Sequence, residues 1–246
     1  MKRLGICTAT RWEFNAVRRS VADASGRRGF FMGRQGPCEV VGIRTGVGMT
    51  KAREACGAML DDHPVDLVIS SGFACALGVS GVGELLVGTT VIGEPSDSDF
   101  GSDHEWSCAA EVIEGAVCAA RIEGMPARTG RFVTVPRVLW RADEKRRIAA
   151  RTGAVGLDME SAAVGSAAAE RGVPFAVLRT VSDLLDEDLP LDFNLFLNPI
   201  DWPKGTLACL ARPSALLELN RLRAQAAIAA ERLTVFFRRF FDDLHG

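Results

Sequence analysis

The segment Gly156-Leu157-Asp158-Met159-Glu160-Ser161-Ala162-Ala163-Val164 sets two carboxylates around a methionine, where an apolar run passes into a small-residue helix. A later apolar run, Pro174 to Val181, ends in Ser182-Asp183. Acidic residues at the ends of neighbouring strands mark a polar ligand at the carboxyl edge of an α/β sheet. One ionised carboxylate accepts both hydrogen bonds offered by a vicinal diol such as the 2′- and 3′-hydroxyls of a ribose, and Glu160 suits that task. Breaking an N-glycosidic bond also requires a proton for the departing base, normally at purine N7, and a group that orients the nucleophile. Asp183 could supply the proton as a general acid. Glu13, in the first turn of the helix after the first strand, could hold a water. Surrounding carboxylates would stabilise the oxocarbenium-like charge that develops. Taken singly, Asp158, Glu160 and Asp183 each also fit a helix N-cap or first-turn acid matched to the dipole.

The elements that would position these groups alternate between strand and helix. Leu4 to Thr8 reads as a buried strand, and Phe14, Val17 and Val21 give Arg11 to Val21 helical spacing. Phe30 to Met32 and Val40 to Arg44 read as paired strands around the turn Arg34-Gln35-Gly36-Pro37. Gly46-Val47-Gly48 leads into a helix from Thr50 to Leu60, and Leu67 to Ser71 is a strand ending in a Ser71-Gly72 turn. Such glycines let backbone N–H groups approach a ligand, although each alone also serves as a plain turn residue. Leu85 to Ile92 follows as a strand, Glu94 to Glu105 as a polar loop, Trp106 to Ile122 as a helix and Phe132 to Val135 as a strand. Asp143 to Ala150 is a short helix, and beyond Asp183 lies a loop from Asp186 to Asp201, then helix to the end. The pattern predicts a mixed sheet flanked by helices, in one domain over 1–246 with a helical extension from about residue 202.

Composition narrows the function classes. A net charge of −2 gives no general reason to bind nucleic acid. The seven cysteines contain no C-x-x-C pair, and His63, His104 and His245 are far apart, so no metal site is expected. Free thiols suit a reducing cytoplasm. The N-terminus enters a strand without a signal-peptide core, and no apolar run reaches membrane-span length.

Gly5-Ile6 followed by Glu13, Gly46-Val47-Gly48, Ser71-Gly72, Asp158-Met159-Glu160-Ser161-Ala162 and Arg179-Thr180-Val181-Ser182-Asp183 resembles the nucleoside phosphorylase superfamily. The similarity covers about residues 1 to 200 and is strongest to the methylthioadenosine/S-adenosylhomocysteine nucleosidase branch. It implies a three-layer α/β/α sandwich whose central mixed sheet curls partly into a barrel. By position it implies Glu13 as the water-activating glutamate, Met159 and Glu160 as ribose contacts, and Asp183 as the purine acid positioned by Ser182. Val138-Leu139 would meet the base. A homodimer acting on a nucleoside is implied, with no metal or organic cofactor and with phosphate as a conceivable co-substrate.

Two features depart from the nucleosidase branch. Phe73 follows Gly72 where that branch carries a small hydroxyl residue, in a turn that phosphorylases use for phosphate or ribose, so water and phosphate both stay open as nucleophile. Arg11 and Arg44 could supply an anion site, or be solvated surface arginines. The tail sets Leu233, Phe236, Phe237, Phe240, Phe241 and Leu244 on helical spacing among Arg232, Arg238 and Arg239. Such a helix lies in a membrane interface or packs on protein. The extension resembles the hopanoid-associated branch, which implies adenosylhopane as substrate and a cytoplasmic protein with peripheral contact at the inner membrane. Cleavage of methylthioadenosine or S-adenosylhomocysteine is the alternative, and a nucleoside-binding protein without catalysis is a third reading.

Overall fold

Alternate residues of the central strands are apolar on both sides, so each strand can be covered on two faces, and helices cover both. The computed structural model describes residues 2–94, 104–197 and 214–244. Along the chain run β1 (Lys2–Thr8), α1 (Arg11–Arg19), β2 (Phe30–Gln35), β3 (Cys38–Arg44), α2 (Met49–Asp62), β4 (Leu67–Ala76) and β5 (Leu85–Gly93). Then come β6 (Glu105–Ser107), α3 (Ala110–Ile122), β7 (Ala127–Thr134), α4 (Ala142–Thr152), β8 (Gly156–Asp158) and α5 (Ser161–Ala169). β9 (Phe175–Asp183), α6 (Asn194–Leu197) and α7 (Ser214–Asp243) complete the order.

The sheet is ordered β2-β3-β1-β4-β8-β7-β5-β6, and β9 pairs with both β4 and β5. That double pairing closes β4, β8, β7, β5 and β9 into a ring, the partial barrel expected. Leu4, Ile6, Leu67 and Ile69 pack one face against α1, α3 and α7 through Phe14, Val17, Ala116 and Phe237. Cys7, Val68 and Val177 face the other way, against Met59, Ala163 and Ala167 of α2 and α5. Ile148 of α4 joins Cys75, Val133 and Leu157 in a third cluster. The molecule is therefore a mixed α/β sheet between helical layers.

Two expectations change and one open choice, between membrane and protein for the last helix, is decided. The strand expected to stop at Ser71-Gly72 continues to Ala76, because parallel pairing with β9 holds Gly72 opposite Arg179. Trp106 lies in β6, paired with Val91, rather than in a helix, and α3 starts at Ala110. The aromatic face of the last helix points inward: Phe236, Phe237, Phe240 and Phe241 are at most 1% exposed. Their rings stack on one another at 5.1–6.2 Å, and Thr234 Oγ1 donates to Ala16 O at 2.9 Å, so this face is domain core and cannot meet a membrane. Asp201-Trp202-Pro203 and the start of the expected extension lie outside the described residues. Among the described residues no helix is long and apolar enough to cross a membrane.

Candidate active site

Glu13 is set by a capping box. Thr10 Oγ1 accepts the Glu13 N–H at 3.3 Å, and Glu13 Oε2 accepts the Thr10 N–H at 2.6 Å. A plain cap would stop there. Instead the second oxygen, Oε1, accepts the Phe73 N–H of β4 at 2.8 Å, which ties helix to strand and leaves the carboxylate buried. Gly72, at φ +140°, provides the close approach, because a Cβ there would stand 2.3 Å from Oε1.

Asp158 and Glu160 divide the two readings available to them. Asp158 Oδ1 accepts the Glu160 and Ser161 N–H groups at 3.2 and 3.1 Å and Thr134 Oγ1–H at 2.8 Å; its Oδ2 accepts Ser161 Oγ–H. Asp158 thus satisfies the start of α5 and is a structural carboxylate. Glu160 caps nothing with its side chain. Its Oε1 accepts the Gly48 N–H at 3.0 Å, and Oε2 faces Arg179 Nη2 at 3.5 Å. Burial pushes the Glu160 carboxyl up to about 7, with the Asp158 and Glu13 charges adding and Arg179 opposing.

Arg179 belongs to this site as well, a role its place in the Arg179-Thr180-Val181-Ser182-Asp183 motif does not announce. It is buried on β9, with Nε 2.8 Å from Asp158 Oδ2, Nη1 donating to Phe73 O at 2.9 Å and Nη2 to Ser70 Oγ at 3.0 Å. A buried charge needs such pairing, and Arg179 links β4, the β8–α5 junction and β9. A lone arginine inside an otherwise apolar strand was the available signal.

On β9 the register with β4 shifts between Ala74 and Cys75: Val181 faces Ala74 and Asp183 faces Cys75. Ser182 is the extra residue. In a regular strand successive side chains point to opposite faces, whereas a bulge re-aims them. Ser182 and Asp183 accordingly line the same cavity, and Ser182 Oγ donates to Asp183 Oδ1 at 3.0 Å. The other oxygen, Oδ2, is held at 2.8 Å by Lys145 Nζ, which also donates to Leu184 O and Glu187 O at 3.1 and 3.0 Å. Burial pulls the Lys145 ammonium down, but Asp183 and Cys75 together outweigh it and the net shift is upward. Lys145 was also unforeseen. Its signal lay in the spacing of Ala142, Lys145 and Ile148 on the buried face of α4.

One wall of the cavity is the segment from Arg137 to Leu139. Asn194 clamps it, accepting the Val138 N–H at 2.8 Å and donating to Val138 O at 2.9 Å. Leu189 N–H reaches Trp140 O at 2.7 Å, so the loop after Asp183 is stitched to this wall. Between these two contacts the Leu139 peptide has no hydrogen-bond partner among the described residues, and Leu139 lines the cavity.

Glu13, Phe73, Leu139, Met159, Glu160, Ser182 and Asp183 thus surround one cavity. Gly72 stands behind it, under Glu13. Arg11 and Arg44 do not join them; both line a different cavity that shares no residue with this one. The reason is geometric: Glu13 turns inward beneath α1, whereas Arg11 and the end of β3 open on its far side. Among the described residues no three His, Cys, Asp or Glu groups are arranged to hold a metal ion.

The sequence matches the family model of the phosphorylase superfamily over residues 3–200. A 5′-methylthioadenosine/S-adenosylhomocysteine nucleosidase of Exiguobacterium is 27% identical over 217 residues, covering 79% of this chain and 91% of that protein. The fold is similar to the crystal structure of S-adenosylhomocysteine nucleosidase from Streptococcus pyogenes, with a TM-score of 0.76, 16% identity and coverage of 100% of this chain and 98% of that one. It is also similar to the structure of a futalosine hydrolase mutant of Helicobacter pylori, with a TM-score of 0.73, 18% identity and coverage of 99% and 100%.

Proposed function

The chain belongs to the phosphorylase superfamily, and on that premise we propose that it hydrolyses the N-glycosidic bond of an adenosine-type nucleoside and releases adenine. The observation that carries this reading is the convergence of Glu13, Glu160 and Asp183, from α1, the β8–α5 junction and β9, on one cavity. Glu160 accepts the ribose diol and Met159 packs against the sugar. Glu13 orients a water at the anomeric carbon, and Asp183 protonates purine N7 as the base leaves. The Leu139 N–H and C=O, without a partner among the described residues, match the N1 acceptor and N6 donor of adenine. Hypoxanthine presents the opposite order on that edge.

Water is favoured over phosphate by charge. The cavity is lined by the carboxyl groups of Glu13, Asp158, Glu160 and Asp183, the last carrying the proton it donates. Its one lining cation among the described residues, Arg137, is paired with Glu144 at 2.6 Å, while Arg179 and Lys145 behind it are engaged by Asp158, Glu160 and Asp183. Such a lining repels a phosphate dianion and stabilises a cationic sugar transition state. Phe73 in place of a hydroxyl residue removes a further anion contact.

The 5′ substituent is the finer question. The described residues enclose about 160 Å³, below the roughly 300 Å³ of pockets that bury a whole drug-sized ligand, so a long 5′ group extends beyond them. Phe73, Val47 and Leu189 add apolar lining beside the carboxyl groups of that cavity, which supports a lipid-linked adenosine such as adenosylhopane. The buried phenylalanines of α7 remove the other support for it. Methylthioadenosine and S-adenosylhomocysteine are supported by the name of the Exiguobacterium relative. Adenine release from all three, with and without phosphate, tests the proposal. Release from the hopanoid alone selects the lipid pathway, and fast release from the two thioethers selects the housekeeping one. Phosphate dependence would overturn water as nucleophile. Binding without release would leave a nucleoside-binding protein. Sedimentation of the purified chain tests the homodimer implied by the resemblance.

A further inference from the structure

Beside α1, on the side away from Glu13, lies a cavity of about 340 Å³ walled by five arginines. Arg11 and Arg18 come from α1, Arg27 and Arg28 from the turn before β2, and Arg44 from the end of β3. Asn15 is the remaining polar side chain, and no carboxylate lines the space. Other surface arginines behave differently: Arg3, Arg53, Arg131, Arg146 and Arg171 each sit 2.5–3.1 Å from an Asp or Glu oxygen. Among the described residues, none of the five cavity guanidiniums has such a partner.

The convergence is built into the backbone. The Arg44 N–H donates to Gly29 O at 2.8 Å and the Phe30 N–H to Arg27 O at 3.1 Å, which fixes the turn bearing Arg27 and Arg28 against the end of β3. Gly29, at φ +82°, has no side chain to fill the space beside Arg44, whose Nε and Nη2 lie 3.7 and 3.8 Å from where a Cβ would stand. Five like charges around one cavity repel unless a counter-charge joins them. Guanidinium forks match the oxygens of phosphate groups in pairs, and several forks suit a ligand carrying several charges. Arg11 and Asn15 also line an adjoining groove of about 710 Å³ between α1 and α7, where Trp12, Ala227, Ala230 and Val235 stand with Arg19, Glu231 and Arg238.

We propose that the five-arginine cavity binds a multiply charged phosphate-type oxyanion, at a site separate from the catalytic cavity. Two sources share this chemistry: a soluble oligophosphate, or the headgroup of an anionic lipid whose apolar part enters the adjoining groove. Calorimetric titration of the full chain with tripolyphosphate, at about 0.15 M salt where weak surface attraction is screened, tests the first source. Flotation with phosphatidylglycerol vesicles, against phosphatidylcholine, tests the second. The doubly substituted chain Arg27→Gln/Arg28→Gln should bind at least about tenfold more weakly in whichever arm is positive, with adenine release unchanged. Binding of tripolyphosphate without flotation assigns a soluble ligand, and phosphatidylglycerol-dependent flotation assigns the lipid. Failure in both arms overturns the proposal, as does equal binding by the parent and the doubly substituted chain.

Discussion

Glu13 reaches across to β4 because residue 72 is a glycine: a Cβ there would lie 2.3 Å from Glu13 Oε1, the oxygen that accepts the Phe73 N–H at 2.8 Å. Helix cap, strand backbone and candidate water-holding group are therefore one contact. Gly72→Ala should displace the carboxylate and strain a backbone at φ +140°. We expect a loss of about 2 kcal/mol of stability and of about 100-fold or more in turnover. Thermal melts and adenine-release assays check both, and an alanine variant with full turnover would detach Glu13 from catalysis.

Asp183→Asn removes the transferable proton and keeps the shape. Turnover should fall by about 100- to 10,000-fold while affinity for an uncleavable nucleoside changes by less than about tenfold. If affinity and turnover fell together, Asp183 would be a binding group rather than an acid.

Glu160 links activity and stability to pH with opposite signs. Its carboxyl is pushed by burial to about 7, against an ordinary 4.5, so the folded chain holds this proton over a range where the unfolded chain has released it. The resulting stabilisation is complete below about pH 4.5 and is lost as pH rises through about 7. The proposed diol binding needs the ionised form, so kcat/KM should climb through the same window. Glu160→Gln should flatten both trends. Denaturant midpoints and kcat/KM measured across pH 5 to about 8.5 provide the test, and an unchanged activity limb in the glutamine variant would assign that limb elsewhere.

Lys145 is fully buried and 2.8 Å from Asp183 Oδ2. Lys145→Met should cost about 3 kcal/mol, because it leaves a mostly buried carboxylate without its counter-charge. With Asp183→Asn in place there is less charge to abandon, so the two losses should be sub-additive by about 1 kcal/mol or more. A double-mutant cycle in urea measures this coupling, and strict additivity would mean that the pair contributes no energy of its own.

Phe237 of α7 packs among Phe236, Phe240 and Phe241 in the core beneath α1 and α3. Phe237→Ala should cost about 3–5 kcal/mol, which is visible in any unfolding curve. A loss under about 0.5 kcal/mol, the range of exposed positions, would contradict the burial.

The strand–helix alternation and the three carboxylates were legible because buried strands and strand-end acids leave local patterns. Arg179 and Lys145 were harder, since each acquires meaning only from a partner far along the chain: Ser70 and Asp158 for one, Asp183 for the other. The Gly72 turn misled because glycine is punctuation in most local contexts, whereas here it makes room for Glu13. The aromatic stripe of α7 showed an apolar face truly but could not show what covers it. Bulged Ser182, which turns two consecutive side chains into one cavity, has no local signature at all.

β9 closes the ring by pairing with β4 on one side and β5 on the other, and it also carries Arg179, Ser182 and Asp183. Its partners on β4 are more than a hundred residues earlier in the chain, so this closure is a slow, long-range event in folding. A chain still being made, or cut before β9, has neither a finished wall nor the carboxyl group proposed as its acid. Competence should therefore arrive in a single step with the end of folding, and no partly built molecule should attack the cell's nucleosides.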